Sequence, residues 1–260
     1  MNVSLIIPIY GAESFLEQSL SDIRDGIISR QNSAETWELV LVVDASPDRS
    51  EEICRTFIAK QHPFPVKLLV NEINSGKGVT VGRGMLAATG DYRIFTDCDL
   101  AYPMSEVYKV IDTLKGASQT GIDVAIASRT HKDTRYIISP TVTRQLYQRH
   151  IMSRLFSILV RYTALIPETR DTQGGLKGFT AAAAQLIFSQ LKLTGFSFDV
   201  EALYIAHQAR LKVVEVPITL HYHIGSTMSF LSDGLGMFWD ICKIHWWRWK
   251  GCYAFEKNNH

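Results

Sequence analysis

The sequence predicts an α/β protein built on a doubly wound, mostly parallel sheet. Three observations carry that prediction. Strand and helix patterns alternate through the first half of the chain, the order of a parallel sheet with helices on its faces. The segment over 37–43 is nearly all apolar, as expected of a strand buried on both sides. An acidic pair, Asp97 and Asp99, closes another apolar segment, at the strand end where open α/β sheets bind ligands.

The elements follow in order. Residues 3–9 read as a strand and 12–28 as a helix with apolar Phe15, Leu16, Leu20 and Ile23. Strands over 37–43 and 66–70 flank a helix over 48–61, and a helix over 79–88 leads to the strand 92–96. Pro103 opens a helix over 103–114, in the first turn, where its missing N–H costs nothing. A strand over 122–127 follows. The second half loses this rhythm: an Arg-rich helix over 141–165, a short strand or turn over 174–179, helices over 180–191 and 198–208, and a strand over 211–220. Pro217 marks that last strand as an edge. The reading is one domain over 1–230 with a C-terminal amphipathic helical extension over 231–260.

Composition excludes several classes. The chain has 260 residues and a net charge of +1, so it carries no nucleic-acid footprint. Cys54, Cys98, Cys242 and Cys252 lack the spacing of zinc or disulfide frameworks, which suggests a reduced compartment. Met1 leads directly into the first strand, with no signal-peptide pattern. Arg154 and Arg161 interrupt the longest apolar stretch, 151–166, before it reaches membrane-spanning length. A cytoplasmic protein, soluble or peripheral at a membrane, is expected.

If 92–96 is a strand that continues through the acidic pair, Asp97 and Asp99 project from one face. Two adjacent carboxylates repel unless a cation lies between them, and Mg²⁺ or Mn²⁺ takes hard oxygen ligands and bridges phosphates. The pair therefore suggests a metal holding a nucleoside diphosphate. The plainer alternative is a loop acid plus a capping acid before Pro103. Gly76-Lys-Gly78 and Gly82-Arg-Gly84 match neither the P-loop nor the dinucleotide fingerprint, which removes kinase and dehydrogenase readings.

Four motifs in order, Ile6-Ile-Pro-Ile-Tyr-Gly-Ala-Glu13, Val42-Val-Asp-Ala-Ser-Pro-Asp48, Asn74-Ser-Gly-Lys-Gly78 and Asp97-Cys-Asp99, resemble family 2 glycosyltransferases of the GT-A fold, a Rossmann-like architecture. Further on, Arg170-Asp-Thr-Gln-Gly-Gly-Leu-Lys-Gly-Phe179, Phe196-Ser-Phe-Asp-Val-Glu201, Glu215-Val-Pro217 and Gly225-Ser226 look like the dolichyl-phosphate glucose and mannose synthases. Val43 and Ala45 depart from the usual Asp and Gly around Asp44, and Thr227 and Met228 follow Ser226 where the synthases carry Lys.

The resemblance implies roles. Pro8, Tyr10, Glu13, Asp44, Lys77 and Asp97 would bind the nucleotide sugar, with Asp44 accepting a ring N–H of the base. Asp97 and Asp99 would hold Mg²⁺ or Mn²⁺. Arg129, with Arg144, Lys177 and Ser226, would bind the acceptor phosphate, while Arg149 and Arg154 are more simply solvated. Asp99, Asp171, Gln173 and Arg129 form the expected catalytic set. Asp171, Asp199 or Glu201 could act as base for a hydroxyl acceptor, and His221 or His223 could add a metal ligand.

The tail places Trp239, Trp246, Trp247 and Trp249 beside Phe238, Lys243, Arg248, Lys250 and Tyr253. Aromatics mixed with basic groups suit a membrane interface; packing on the domain or on a second subunit is the alternative. The expected activity is an inverting, metal-dependent hexosyl transfer from a nucleotide sugar, UDP-glucose before GDP-mannose, to a polyprenyl phosphate. A same-fold transferase acting on a soluble or glycan hydroxyl, and a nucleotide-sugar-binding module without turnover, are the rivals. Self-association stays open.

Overall fold

The computed structural model describes residues 2–32, 34–116, 121–137, 163, 166, 169–221 and 230–253, with backbone alone at 137, 221 and 230–235. Its main sheet contains β1 (Asn2–Ile9), β2 (Thr36–Val43), β3 (Val66–Val70), β4 (Tyr92–Thr96), β5 (Val124–Ser128), β7 (Leu176–Thr180) and β8 (Val213–Pro217). The strand order is β3-β2-β1-β4-β7-β5-β8. All pairings are parallel except those of β7, which runs antiparallel between β4 and β5. A separate parallel pair joins β6 (Arg135–Ile137) and β9 (Thr219–His221). The strand containing Pro217 lies at the sheet edge, as Pro217 predicted.

Alternation sends side chains to two cores. Val3, Leu5, Ile7 and Ile9 of β1 and Leu39, Leu41 and Val43 of β2 face one layer of helices, while Ile6, Val40 and Val42 face the other. The first layer is α1 (Leu16–Arg30), α2 (Ser50–Ala59) and α4 (Met104–Lys115). The second is α3 (Lys77–Ala87), α5 (Ala181–Phe188), α6 (Phe198–Gln208) and α7 (Phe230–Trp249). Two apolar layers on one sheet give strands that are apolar at every position, which explains the continuous run in β2.

Several boundaries moved, and the strand expected over 211–220 divides into β8 and β9, which lie in different sheets. α1 starts at Leu16, not 12, because the N–H groups of Gly11, Ala12 and Glu13 go to Ser46, Ser50 and Asp48 across the β2–α2 loop. α3 starts two residues early, at Lys77, behind Gly76 with φ +89°. α5 ends at Phe188 rather than 191. The helix expected over 141–165, with Arg144, Arg149 and Arg154, lies outside the described residues, as do His223, Ser226 and the Gly225 motif.

The C-terminal helix shares the second core. Ile241 and Ile244 of α7 are buried with Tyr253 beyond it. Each buried aliphatic side chain contributes about 1.5–3 kcal/mol. The Tyr253 hydroxyl donates to Glu201 Oε1 at 2.8 Å, tying the tail to α6. The opposite side of α7 leaves Phe238, Trp239, Trp246 and Trp249 exposed.

Candidate active site

β1 pairs β2 on one side and β4 on the other, so the strand order turns about at β1. The loops after β1, β2 and β4 gather at that switch point with the N-terminus of α3. After β1, Tyr10 is 53% exposed and offers a ring face, whereas Pro8 is buried within β1 opposite Val42. The expected ligand contact from Pro8 is therefore corrected: its ring is in the sheet. Glu13 is latched to Arg49, accepting from its Nε at 2.7 Å and its backbone N–H at 3.1 Å. Those bonds hold the Glu13 carboxyl below its ordinary range, and they turn it to the α2 loop rather than to a ribose.

Asp44 is buried where β2 ends. Its Oδ1 accepts from Asn71 Nδ2 at 2.7 Å and from the Ser75 N–H at 2.9 Å, and its Oδ2 from the Gly76 N–H at 2.8 Å. A carboxylate has about four acceptor directions, so three are used by the protein's own loop. The first work of Asp44 is thus to fix the β3–α3 loop. Ala45, where the family carries glycine, has φ +48°, a left-handed backbone that costs an L-residue about 1–2 kcal/mol. Such strain concentrates at functional sites.

The acidic pair is arranged differently from the strand-face expectation. β4 stops at Thr96, and a turn follows in which the Leu100 N–H reaches the Asp97 carbonyl at 3.2 Å and Leu100 has φ +49°. Strand alternation does not extend through a turn, so the two carboxylates do not share a face on that ground. Asp97 Oδ1 meets Lys77 Nζ at 2.6 Å. Asp99 Oδ1 accepts from the Ala101 N–H at 3.0 Å. Gly175 leaves the room that Asp97 needs, since a Cβ there would fall 2.2 Å from Asp97 Oδ2. Burial works against a charged Lys77, but Asp97, Asp199 and Asp99 outweigh it and raise its pKa. Cys98, between the two acids, is pushed up to about 12 by burial and then by both carboxylates, so it is not a thiolate nucleophile.

At the end of β5, Arg129 and buried Asp171 form a fork: Nε to Oδ2 at 2.9 Å, Nη2 to Oδ1 at 2.8 Å, with the Arg129 backbone N–H on Oδ2 at 2.7 Å. Burial opposes the charge on Asp171, but Arg129 prevails and holds its pKa below the usual carboxylate range. Gln173 joins through its backbone N–H to Asp171 Oδ1 at 3.2 Å. Lys177, expected at the acceptor phosphate, is fully buried and bonded to Asp199 Oδ1 at 2.6 Å and the Gly174 carbonyl at 2.5 Å. That expectation is corrected: β7 is an interior strand, so its lysine points into the protein. Glu201 is buried as well, accepting from the Leu193 N–H at 2.6 Å, the Lys192 N–H at 3.0 Å and Tyr253.

Sequence reasoning missed two contributors. Phe196 exposes its ring 5.8 Å from Lys77 Nζ. Tyr102 receives the Gly175 N–H at 3.3 Å behind the acidic turn. Phe196 opens a quoted motif, so its place could have been found; Tyr102 left no signal.

The donor set fits a hard divalent cation. Asp97 and Asp99 supply carboxylate oxygens in one turn, and Gly175 keeps a cradle open beside Asp97. Among the described residues no cluster of three His, Cys, Asp or Glu side chains gathers as a self-sufficient metal cage. An ion of the Mg²⁺ kind needs only one or two carboxylates from the protein, with phosphates and water completing its shell.

Comparison with known proteins agrees with this geometry. The sequence model of glycosyl transferase family 2 matches residues 4–168. A dolichyl-phosphate beta-glucosyltransferase of Dictyostelium discoideum is 29% identical over 93% of this chain and 73% of its own length. That of Saccharomyces cerevisiae is 30% identical over 98% of this chain and 77% of its own. The crystal structure of a Mycobacterium tuberculosis glucosyl-3-phosphoglycerate synthase, solved with Mn²⁺, UDP-glucose and phosphoglyceric acid, superposes with a TM-score of 0.66 at 17% identity, covering 98% of this chain and 81% of that one. This last likeness shows the shared fold.

Proposed function

Because the chain belongs to glycosyl transferase family 2, we propose that it moves a hexose, glucose from UDP-glucose, to a polyprenyl phosphate of the dolichyl type, with inversion at the anomeric carbon. The acceptor class rests on one observation. Among the described residues, the three carboxylates read as possible bases for a hydroxyl acceptor are all buried and engaged: Asp171 with Arg129, Asp199 with Lys177, Glu201 with backbone N–H groups and Tyr253. A base must reach the proton it abstracts. A phosphate acceptor is already ionised near neutral pH and needs none. The curated relatives, which are named for a lipid-phosphate acceptor, support the same choice.

The residues divide the work. Tyr10, exposed at the end of β1, offers a stacking face for the base. Asp44 sets the start of α3, where the ammonium of Lys77 would favour a diphosphate. Asp97 and Asp99 would hold Mg²⁺ or Mn²⁺, which supplies charge stabilisation for the departing nucleoside diphosphate. Arg129, positioned by Asp171, would offer its positive charge to the acceptor phosphate and would orient the attacking oxygen on the far side of the sugar. Arg144 and Ser226 remain acceptor candidates outside the described residues.

The acceptor lipid also bears on location. No helix among the described residues is long and apolar enough to cross a membrane. The exposed aromatics of α7, with Lys243 and Arg248 along the helix and Lys250 just beyond it, suit peripheral contact with the cytoplasmic face of a membrane.

The test supplies purified protein with Mg²⁺, labelled UDP-glucose or GDP-mannose, and either dolichyl phosphate or dolichol. Label from UDP-glucose should pass to the phosphate alone, and Asp99→Ala should lower the rate at least about a hundredfold. Transfer to the alcohol, or full activity of the variant, overturns the reading.

A further inference from the structure

Lys77 stands where two demands meet. Its ammonium is 2.6 Å from Asp97 Oδ1, beside the turn that ends in Asp99. Its backbone is the first residue of α3, the helix start that the proposed function sets beside the diphosphate. The chain on either side is clamped. Gly76 donates its N–H to Asp44 at 2.8 Å, and Gly78 donates to the Thr194 carbonyl at 2.7 Å. A Cβ on Gly76 would lie 2.5 Å from the Thr194 oxygen, and one on Gly78 would lie 2.4 Å from the Leu193 oxygen. The backbone on both sides is thus closely held, while the four-carbon side chain is 20% exposed.

We propose that Lys77 is a resident counter-ion of the acidic turn: in the substrate-free protein its ammonium holds the electrostatic place of the divalent cation, and donor loading moves it from Asp97 to the diphosphate. This rests on the donor-and-metal reading above. The argument is one of charge. Asp97 and Asp99 lie two residues apart, and a cation near them relieves their repulsion. A lysine does so as a mobile point charge, without the fixed fork that would commit an arginine to one partner. A divalent ion arriving at the same turn competes with that ammonium for Asp97. A diphosphate arriving at the start of α3 offers the ammonium a new partner within the sweep of its side chain. The exposed ring of Phe196, 5.8 Å from Nζ, flanks that sweep and tolerates a passing cation on its face. Metal and nucleotide would then bind cooperatively, since each removes an obstacle to the other. Metal alone would bind weakly, so the site would not fill before the donor arrives.

The prediction has opposite signs for two ligands, which a merely structural lysine cannot produce. In Lys77→Met, Mn²⁺ alone, followed by the loss of the free-ion electron paramagnetic resonance signal, should bind about fivefold more tightly than to the unaltered protein, the scale of one partly exposed charge pair. UDP binding in saturating Mn²⁺, followed by calorimetry, should weaken by about tenfold or more. Lys77→Arg should keep the metal affinity low. Lys77→Gln should behave as Lys77→Met does, and replaces it if the methionine variant fails to fold. Unchanged or weaker Mn²⁺ binding in both neutral variants overturns the proposal. Asp99→Asn separates this from failure of the underlying reading. If that variant still binds Mn²⁺ normally, the acidic turn is not the metal site and both ideas fall. If it loses Mn²⁺ and the Lys77 variants do not gain it, only the counter-ion role falls.

Discussion

Lys77–Asp97 and Lys177–Asp199 are ion pairs of the same length, 2.6 Å each, in opposite surroundings. The first is partly open, with side-chain exposures of 20% and 31%; the second is sealed, at 0% and 7%. Burial lowers the pKa of Lys177 despite Asp199, whereas neighbouring carboxylates overcome burial and raise that of Lys77. Asp199 is pushed up by burial. The contrast teaches that the same two side chains at the same distance do different work according to water access. An open pair can exchange partners with a ligand; a sealed one can only hold the structure. The sequence reads Lys77 as a nucleotide-sugar contact and Lys177 as an acceptor-phosphate contact, and of the two only Lys77 is open to solvent.

The largest effect should come from breaking the sealed pair. Lys177→Met leaves Asp199 buried without its cation and should cost about 3–5 kcal/mol of stability, read as a lower midpoint in urea unfolding. Lys77→Met should cost less than about 1 kcal/mol, because water and other groups can serve Asp97. Equal costs at the two positions would erase the distinction. Joint replacement, Lys177→Met with Asp199→Leu, should recover much of the loss, because no buried charge is then stranded.

Arg129–Asp171 sharpens the comparison through pH. Asp171 is as buried as Asp199, yet its pKa is lowered, because a fork and a backbone N–H together outweigh burial. An acid with a depressed folded pKa contributes stability above its unfolded value and loses it as pH falls through the folded one. Asp199, raised instead, takes up its proton in the folded state first and so gains relative stability as pH falls. Arg129→Met should cost about 3 kcal/mol at neutral pH and flatten the acid side of the stability curve. An unchanged acid limb would mean that Asp171 does not carry it.

A smaller loss is expected at the tail. Tyr253→Phe removes the proton donor from buried Glu201 and should cost about 1–3 kcal/mol while leaving Mn²⁺ binding untouched. Altered Mn²⁺ binding in that variant would place Glu201 among the groups that set the metal turn.

The fold was legible because periodicity is a backbone property. β1 to β4 alternate with α1 to α3 as read, and the strand with Pro217 fell at the edge. Direction was harder: the antiparallel β7 between β4 and β5 left no mark, since Leu176-Lys-Gly-Phe-Thr180 is too short and too mixed for its pattern to report which way it runs. The candidate site was legible as residue types at spacings and illegible as contacts. Asp97 and Asp99 were found by pattern, but the turn that begins at Asp97 depends on Leu100 adopting a left-handed φ. Lys177 was misplaced because a lysine gives no sign of burial until its partner, Asp199, arrives from a distant helix. Glu13 and Asp44 were singled out by pattern, but their partners lie across loops that sequence alone does not bring together.

The smallest effect on stability, and the widest reach, belongs to α7, which repeats the sealed-against-open contrast on one helix. Its inner face carries Ile241 and Ile244, both buried. Its outer face carries Trp239, Trp246 and Trp249, and Trp249 is 82% exposed. Surface side chains away from special contacts contribute within about 0.5 kcal/mol, so replacing Trp239 and Trp249 together by Ala should leave the unfolding midpoint almost unmoved. If the outer face meets lipid, the same variant should lose most of its partitioning onto anionic vesicles, because indole rings at the interface supply the apolar part of the attraction. Lys243 is already held by Asp240 at 2.9 Å and Lys250 sits over the Trp246 ring at 4.5 Å, so the basic contribution should be modest. Raising salt should therefore weaken partitioning only in part, leaving an aromatic component that screening does not remove. Partitioning equal to that of the unaltered protein would end the lipid reading. A concentration-dependent shift in sedimentation that disappears in the Trp239/Trp249 variant would assign the face to a second copy of the chain.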